Sequence, residues 1–376
     1  MELIKKNNLK EFKNLVIKSY YNRVLIVSGK KSFNLSGAKK IIKEIFQKVE
    51  KSFYFKKSNL PEVNELKNLI TLINKYKPNL IIAIGGGGVM DLAKIANAMH
   101  SELNIKKCII KDDYNLKNNY CDLISIPTTA GSGAEVTTNA VIYVGKKKFS
   151  IEGDNIKPKH AILMPSLIIS NTKKIISSSA FDCLSQSVES MISVKSNTES
   201  INYSKKSIKL FLENYKNFIQ KKSLNQFYKI SLAAYFSGKA ISITKTTAPH
   251  AVSYPFTSYY GIHHGHAVSL TLNEFLEFNY KNSSKSKTKF NLLNRYHLLF
   301  KIFKVKNINE LIKEINKIKS NLKVINDLNF LNKNIDKNLN LIVKNVNVQR
   351  LTNNPVEVKS IDIYNLLKNK IIQSQQ

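Results

Sequence analysis

The chain has 376 residues, 43% of them apolar, with 18 Phe, 17 Tyr and a formal net charge of +33. That length suggests two domains with ample core-forming side chains, and no run of 18 or more apolar residues is present to span a membrane. The charge does not indicate a nucleic-acid partner: of 59 Lys and Arg residues only Arg23, Arg295 and Arg350 are arginine, the type that grips bases and phosphates with paired donors.

The lysines are scattered among Asn and Ile rather than gathered in a basic tail, as a compositional bias would leave them. Their excess still favours anionic small molecules by steering. The opening "MELIKKNNLKEFKNL" is polar and charged, unlike the apolar centre of a signal peptide. Cys108, Cys121 and Cys183 have no paired spacing, as expected for reduced thiols. A cytoplasmic protein with no membrane partner is the expectation.

"RVLIVSG" from Arg23, "NLIIAIGGGG" from Asn79 and "DLISIPTT" from Asp122 each predict a buried strand ending in turn residues. Between them, "SGAKKIIKEIFQKVEK" and "PEVNELKNLITLINKYK" space their apolar residues for helices. The alternation predicts a parallel sheet with helices on both faces, an α/β domain over residues 1–170. From about Ser177 long helical patterns take over, predicting an all-helical domain over 171–376. Residues 281–347 are so rich in Lys and Asn that the pattern leaves their helix limits open.

"AIGGGGVMDLAK" follows a strand and opens a helix, so Gly86, Gly87 and Gly88 bring bare backbone and a helix N-terminus to a diphosphate. A tight glycine turn without function, with Asp91 complementing the helix dipole, is the lesser alternative for this stretch in isolation. "SIPTTAGSGAEVT" from Ser125 is a second such loop, offering Thr128, Thr129 and Ser132. Two loops at strand C-termini point to a nucleotide at the carboxyl edge of the sheet.

"AFDCLSQSVES" sets Asp182 and Gln186 four residues apart on one helix face, with Glu189 near that face one turn on. "HAVSYPFTSYYGIHHGHAV" from His250 holds four of the seven histidines: His250, His263, His264 and His266. Pro255 and Gly261 are expected to interrupt the His250 helix, so that His264 returns to meet it. An Asp, two His and a fourth O or N donor suit a divalent transition metal with an open position.

These stretches, with "RLTNNPVEV", occur in the order found in the iron-containing (group III) alcohol dehydrogenases, which the chain resembles over nearly its whole length. The resemblance implies a dehydroquinate synthase-like fold with cofactor and metal in a cleft between domains, and a homodimer is common among such proteins. It carries metal ligation onto Asp182, Gln186, His250 and His264, and cofactor binding onto Gly86, Gly87, Gly88, Asp91, Thr128, Thr129 and Ser132. Lys148 matches a family lysine on the nicotinamide side. The family usually has histidine at Gln186; an amide oxygen there leans towards Fe2+ over Zn2+, unless water or substrate takes its place. NAD-preferring relatives have aspartate at Gly29, whereas Gly29, Lys30 and Lys31 suit a 2′-phosphate, so NADPH is expected ahead of NADH.

Within the family the stretch around His250 is most similar to the branch that reduces phosphonoacetaldehyde to 2-hydroxyethylphosphonate. Lys245, Thr246 and Thr247 precede His250 and offer an ammonium and two hydroxyls to an anionic aldehyde substrate. The hydride passes from the nicotinamide to the aldehyde carbon, and Tyr254, His263, His266 or water must supply the proton, with His266 preferred. Another small alcohol, diol or sugar-derived aldehyde is the alternative substrate. A polyol-phosphate dehydrogenase or a cyclase on the same scaffold is the remoter reading.

Overall fold

The computed structural model describes residues 2–4, 9–116, 118–220, 223–324, 327–346 and 348–373. The chain divides into two compact units, Met1–Thr172 with Lys222–Gly238, and Lys173–Lys221 with Lys239–Gln376.

The first unit holds strands β1 (Glu2–Ile4), β2 (Arg23–Gly29), β3 (Glu50–Lys56), β4 (Leu80–Gly85), β5 (Asp122–Pro127), β6 (Asn139–Val144), β7 (Lys147–Glu152) and β8 (His160–Ile162). Its helices are α1 (Leu9–Lys18), α2 (Lys30–Leu35), α3 (Ala38–Ile45), α4 (Val63–Tyr76), α5 (Gly87–Ala98), α6 (Ile105–Lys111) and α7 (Pro165–Ile168). Six strands form a parallel sheet in the order β1-β8-β5-β4-β2-β3. Successive residues of β2 and β4 face opposite sides: Leu25, Val27, Ile81 and Ala83 enter one apolar cluster, Val24, Ile26, Leu80, Ile82 and Ile84 the other. Helices cover both faces, which is why these strands read as unbroken apolar runs rather than alternating ones.

The chain runs from β2 outward to β3, then crosses to β4 on the other side of β2. That reversal opens a crevice at the carboxyl ends of β2 and β4, where Gly29 and the glycine run sit. The sequence did not announce the antiparallel β6–β7 ribbon, which turns on Gly145 at φ +62° and pairs Val144 with Lys147.

The second unit is built from α8 (Lys173–Ile192), α9 (Thr198–Phe218), the end of α10 (Leu224–Thr244), α11 (Ala248–Tyr260), α12 (His264–Ser269), α13 (Leu272–Lys281), α14 (Leu292–Phe303), α15 (Ile308–Leu322), α16 (Ile335–Lys344), α17 (Val348–Leu351) and α18 (Ser360–Gln373). One isolated bridge, Ser286 with Val356, is the strand-like pairing among its described residues. Helix α8 is buried nearly all round, so it shows no amphipathic period. Its buried hydroxyls bond back along the helix, Ser185 Oγ to Phe181 O (2.9 Å) and Ser187 Oγ to Cys183 O (3.1 Å), which satisfies them without water. Helix α9 starts in a capping box of Asn197 and Ser200.

Pro255 does not interrupt α11, contrary to expectation: it lies inside the helix, which continues to Tyr260. A proline forfeits one intrahelical bond, and here the flanking turns hold without it. Gly261, at φ +66°, is what ends the helix. None of the three cysteines forms a disulfide. No helix among the described residues is long and apolar enough to cross a membrane.

Candidate functional site

In the second unit, α8 supplies Asp182, Gln186 and Glu189, α11 supplies His250, and α12 opens on His264. Asp182, His250 and His264 each offer one ligand atom, all within 4.8 Å of one another. His250 Nε2 lies 3.2 Å and His264 Nε2 3.9 Å from Asp182 Oδ1, and Gln186 Nε2 lies 3.3 Å from Asp182 Oδ2. A half-turn of the Gln186 amide would bring its oxygen to the same point.

A close helix crossing makes this convergence possible. A Cβ on Gly265 would stand 1.9 Å from Ser178 O and 3.1 Å from the Asp182 Cβ, so α12 seats His264 against α8 only because residue 265 is glycine. Glu189, fully buried, completes the arrangement. One of its oxygens accepts from the Thr247 amide (2.7 Å) and the Thr247 hydroxyl (2.9 Å), and the other bonds His250 Nδ1. Burial opposes a charge on His250, but the Glu189 and Asp182 carboxylates outweigh it and push its pKa up to about 9.

The donor set fits a divalent cation. Two buried carboxylates converge on one imidazole, and a cation between Asp182, His250 and His264 would balance the surplus negative charge. The Nδ1 bond to Glu189 leaves His250 Nε2 as the ligand atom, the carboxylate-backed arrangement common to metal histidines. The sequence alone gives Glu189 no role, although its spacing of three from Gln186 and seven from Asp182 places it on the same helix face.

Around this cluster, the Tyr254 ring stacks on His264 at 5.7 Å, its hydroxyl bonds with Thr246, and the Arg350 charge acts on it. Burial raises the Tyr254 pKa. The Thr247 hydroxyl, predicted to meet substrate, gives its one hydrogen to Glu189 and so has none to donate to an anion. Lys245 is half-buried and turns the chain at φ +58°. His266 is buried, its amide near Ser178 Oγ (3.3 Å), and burial lowers its pKa to about 4, with the neighbouring His263 and Lys174 also lowering it. It is therefore neutral near pH 7. Burial lowers the His263 pKa as well.

In the first unit, the two predicted loops meet. The turn from β4 into α5 is closed by Val89 N and Met90 N bonding Gly86 O, so the amides of Gly87 and Gly88 precede the first intrahelical bonds. A Cβ on Gly87 would lie 2.7 Å from Ser132 Oγ, and one on Gly86 3.6 Å from Thr129 Oγ1. Thr128 is held by its amide to Gly85 O (2.8 Å). The result is a backbone cradle with hydroxyls at its rim, which fits a diphosphate.

Asp91 lies in the second turn of α5. Burial raises its pKa to about 6 against the opposing charges of Lys94 and Lys148. Lys148 thus faces Asp91. Gly29 ends β2, with Lys30 and Lys31 exposed beyond it. Lys94, in the same motif, is the clamp of the second loop. Fully buried, it donates to Ala134 O (3.1 Å), Thr137 Oγ1 (2.8 Å) and Asn139 O (2.6 Å). Glu135 beside it is buried too, and burial raises its pKa to about 7.

A family model described as iron-containing alcohol dehydrogenase matches residues 3–165, and one described as the C-terminal part of the Fe-containing alcohol dehydrogenase family matches residues 176–371. The chain belongs to the iron-containing alcohol dehydrogenase family. It is 31% identical over 218 residues to a phosphonoacetaldehyde reductase of Streptomyces viridochromogenes, covering 55% of each protein. It is 28% identical over 237 residues to a 4-hydroxybutyrate dehydrogenase of Clostridium kluyveri, covering 61% of this chain and 62% of that one. The match thus spans between half and two thirds of those relatives' lengths. Among solved structures, sulfoacetaldehyde reductase from Bifidobacterium kashiwanohense, in complex with NAD+, superposes with a TM-score of 0.86 at 24% identity, covering 98% of this chain and 96% of that one. The iron-containing alcohol dehydrogenase of Thermococcus thioreducens superposes with a TM-score of 0.85 at 20% identity, covering 99% and 98%. The fold is the dehydroquinate synthase-like fold of these structures.

Proposed function

We propose that this chain is a metal-dependent NAD(P)H oxidoreductase that reduces a small aldehyde to a primary alcohol, with phosphonoacetaldehyde as substrate and 2-hydroxyethylphosphonate as product. The observation that carries the reading is the convergence of Asp182, His250 and His264 within 4.8 Å in a chain of this family. The two curated relatives are named for phosphonoacetaldehyde and 4-hydroxybutyrate, both short molecules with an oxyanionic end.

When bound, a divalent cation supplies Lewis acidity toward the carbonyl oxygen and NADPH supplies the hydride. Asp182, His250 and His264, with Gln186 as fourth donor, hold the cation, and the neutral amide favours Fe2+ over Zn2+. Gly86, Gly87 and Gly88, with Thr128, Thr129 and Ser132, bind the cofactor diphosphate, and Asp91 and Lys148 are assigned to the cofactor with them. Gly29, Lys30 and Lys31 favour the 2′-phosphate of NADPH. His266 and Tyr254 are the side chains assigned to proton delivery. A neutral imidazole has one N–H donor and one acceptor, so His266 can pass a proton without becoming an imidazolium.

The test is NADPH oxidation by metal-reconstituted protein over an aldehyde panel that includes phosphonoacetaldehyde. Turnover requiring the metal is expected, with the highest kcat/KM for phosphonoacetaldehyde. No turnover of any aldehyde with Fe2+ or Zn2+ would overturn the reading, and a tenfold preference for NADH would overturn the cofactor assignment.

A further inference from the structure

Arginine is scarce in this chain, three residues among 59 basic ones, so each position that keeps it is informative. Arg23 pairs with Glu50, and Arg295 lies over the Phe290 ring; both are partly exposed. Arg350 is only 7% exposed. A lysine would serve wherever charge alone is needed, whereas a guanidinium gives two parallel N–H bonds to an oxyanion.

The surroundings of Arg350 connect it to the cluster of Asp182, His250 and His264. Helix α17, which carries it, packs on α11, which carries His250 and Tyr254. Just beyond, Asn353 Nδ2 donates to Thr246 O (3.3 Å) and Asn354 Oδ1 accepts from the Ala248 amide (3.4 Å). These bonds stitch the Arg350 segment to the turn Lys245–Thr247 that leads into α11. Tyr254 stacks on His264 at 5.7 Å. A guanidinium and a metal-binding imidazole therefore flank the same tyrosine.

We propose that Arg350 anchors the oxyanionic head of the substrate, so that the protein selects short aldehydes carrying a phosphonate, sulfonate or carboxylate over neutral ones. This deepens the aldehyde-reductase reading and rests on it for the identity of the reacting group, but the binding of the anionic head is separately measurable. Arg350 takes over the donor role that Thr247 cannot fill, because Thr247 is committed to Glu189.

The experiment uses the full metal-loaded chain and two readouts. Calorimetry with ethylphosphonate, which has no reducible group, reads the anchor as the difference between wild type and variant, since any coordination to the metal is common to both. Kinetics with phosphonoacetaldehyde, sulfoacetaldehyde, succinic semialdehyde and propanal reads selectivity and ranks the three anionic heads. Arg350→Met is expected to weaken ethylphosphonate binding and raise KM for the preferred anionic aldehyde by thirtyfold or more, with KM for propanal changed less than threefold; any effect through the Tyr254 hydroxyl falls on kcat for all the aldehydes alike. Arg350→Lys keeps the charge but loses the paired bonds, and an intermediate loss is expected. Wild-type ethylphosphonate affinity in both variants, or an equal rise in KM for propanal and the anionic aldehydes, would overturn the proposal. Should Arg350→Met fail to fold, an unmoved anionic-to-neutral ratio in Arg350→Lys would overturn it alone. If wild type reduces no aldehyde yet Arg350→Met loses ethylphosphonate binding, the anchor stands and the reductase reading falls.

Discussion

Glu189 holds Nδ1 of His250 and thereby turns Nε2 of the same ring to Asp182, 3.2 Å away. The same carboxylate takes the amide and hydroxyl of Thr247 at the start of α11, so one buried side chain fixes the helix entry and the orientation of the imidazole. Glu189→Gln keeps the shape but replaces a charged acceptor with a neutral amide that can satisfy fewer of these donors. Metal affinity is expected to fall about 10- to 100-fold, as is usual for the partner behind a ligating histidine. Competition against a chromophoric chelator measures it; unchanged affinity would mean that His250 is oriented by other contacts.

Gly265 is the second determinant of the cluster. A methyl group there would be driven against Ser178 O, and α12 must lift from α8 to make room. Gly265→Ala is expected to destabilise the protein by about 1–3 kcal/mol, in the range of overpacking, and to separate His264 from Asp182. Metal analysis after gel filtration is the check, with substoichiometric metal expected. Full occupancy at unchanged melting temperature would show that the crossing relaxes freely.

The sheet was legible because β2, β4 and β5 are buried on both faces, which leaves continuous apolar runs ending in glycine or hydroxyl turns. The cluster of Asp182, His250 and His264 was legible for a different reason: Asp182 and Gln186 share one helix face, and four of the chain's seven histidines crowd around a single break. Glu189 and Lys94 were not. Each is buried and acts through other protein groups rather than a ligand, and a sequence shows residue types but not what they touch. Thr247 and Pro255 show the same limit. Whether a hydroxyl faces solvent or a carboxylate, and whether a proline breaks a helix, are settled by packing around them.

Gln186 tests the composition of the shell. It lies against Asp182 with no second imidazole beside it on α8, so the site has one soft donor fewer than an Asp–His–His–His set. Gln186→His is expected to tighten zinc on the order of tenfold relative to iron(II), since imidazole is the better zinc ligand. Paired titrations of the variant and wild type with both ions measure the ratio. A ratio equal to that of wild type would exclude residue 186 from the shell.

Lys319 gives a prediction independent of the metal. It is 1% exposed, with Nζ 5.9 Å over the Phe181 ring, and near it lie Lys370 and Glu274, themselves paired at 2.6 Å. Burial lowers its pKa to about 7, Lys370 adds to the shift and Glu274 opposes it. With the folded pKa depressed, the unfolded chain binds a proton that the folded one lacks between pH 7 and pH 10.5, so folding loses stability as pH falls through that window. A full pKa unit corresponds to about 1.4 kcal/mol, so wild type should lose roughly 2–3 kcal/mol between pH 9.5 and 7.5 from this group alone. Lys319→Met removes the titration and fills a similar volume. Urea unfolding of both proteins at the two pH values gives the difference directly: the variant should gain on wild type as pH falls, and parallel pH profiles would place the Lys319 ammonium in a site that keeps its charge.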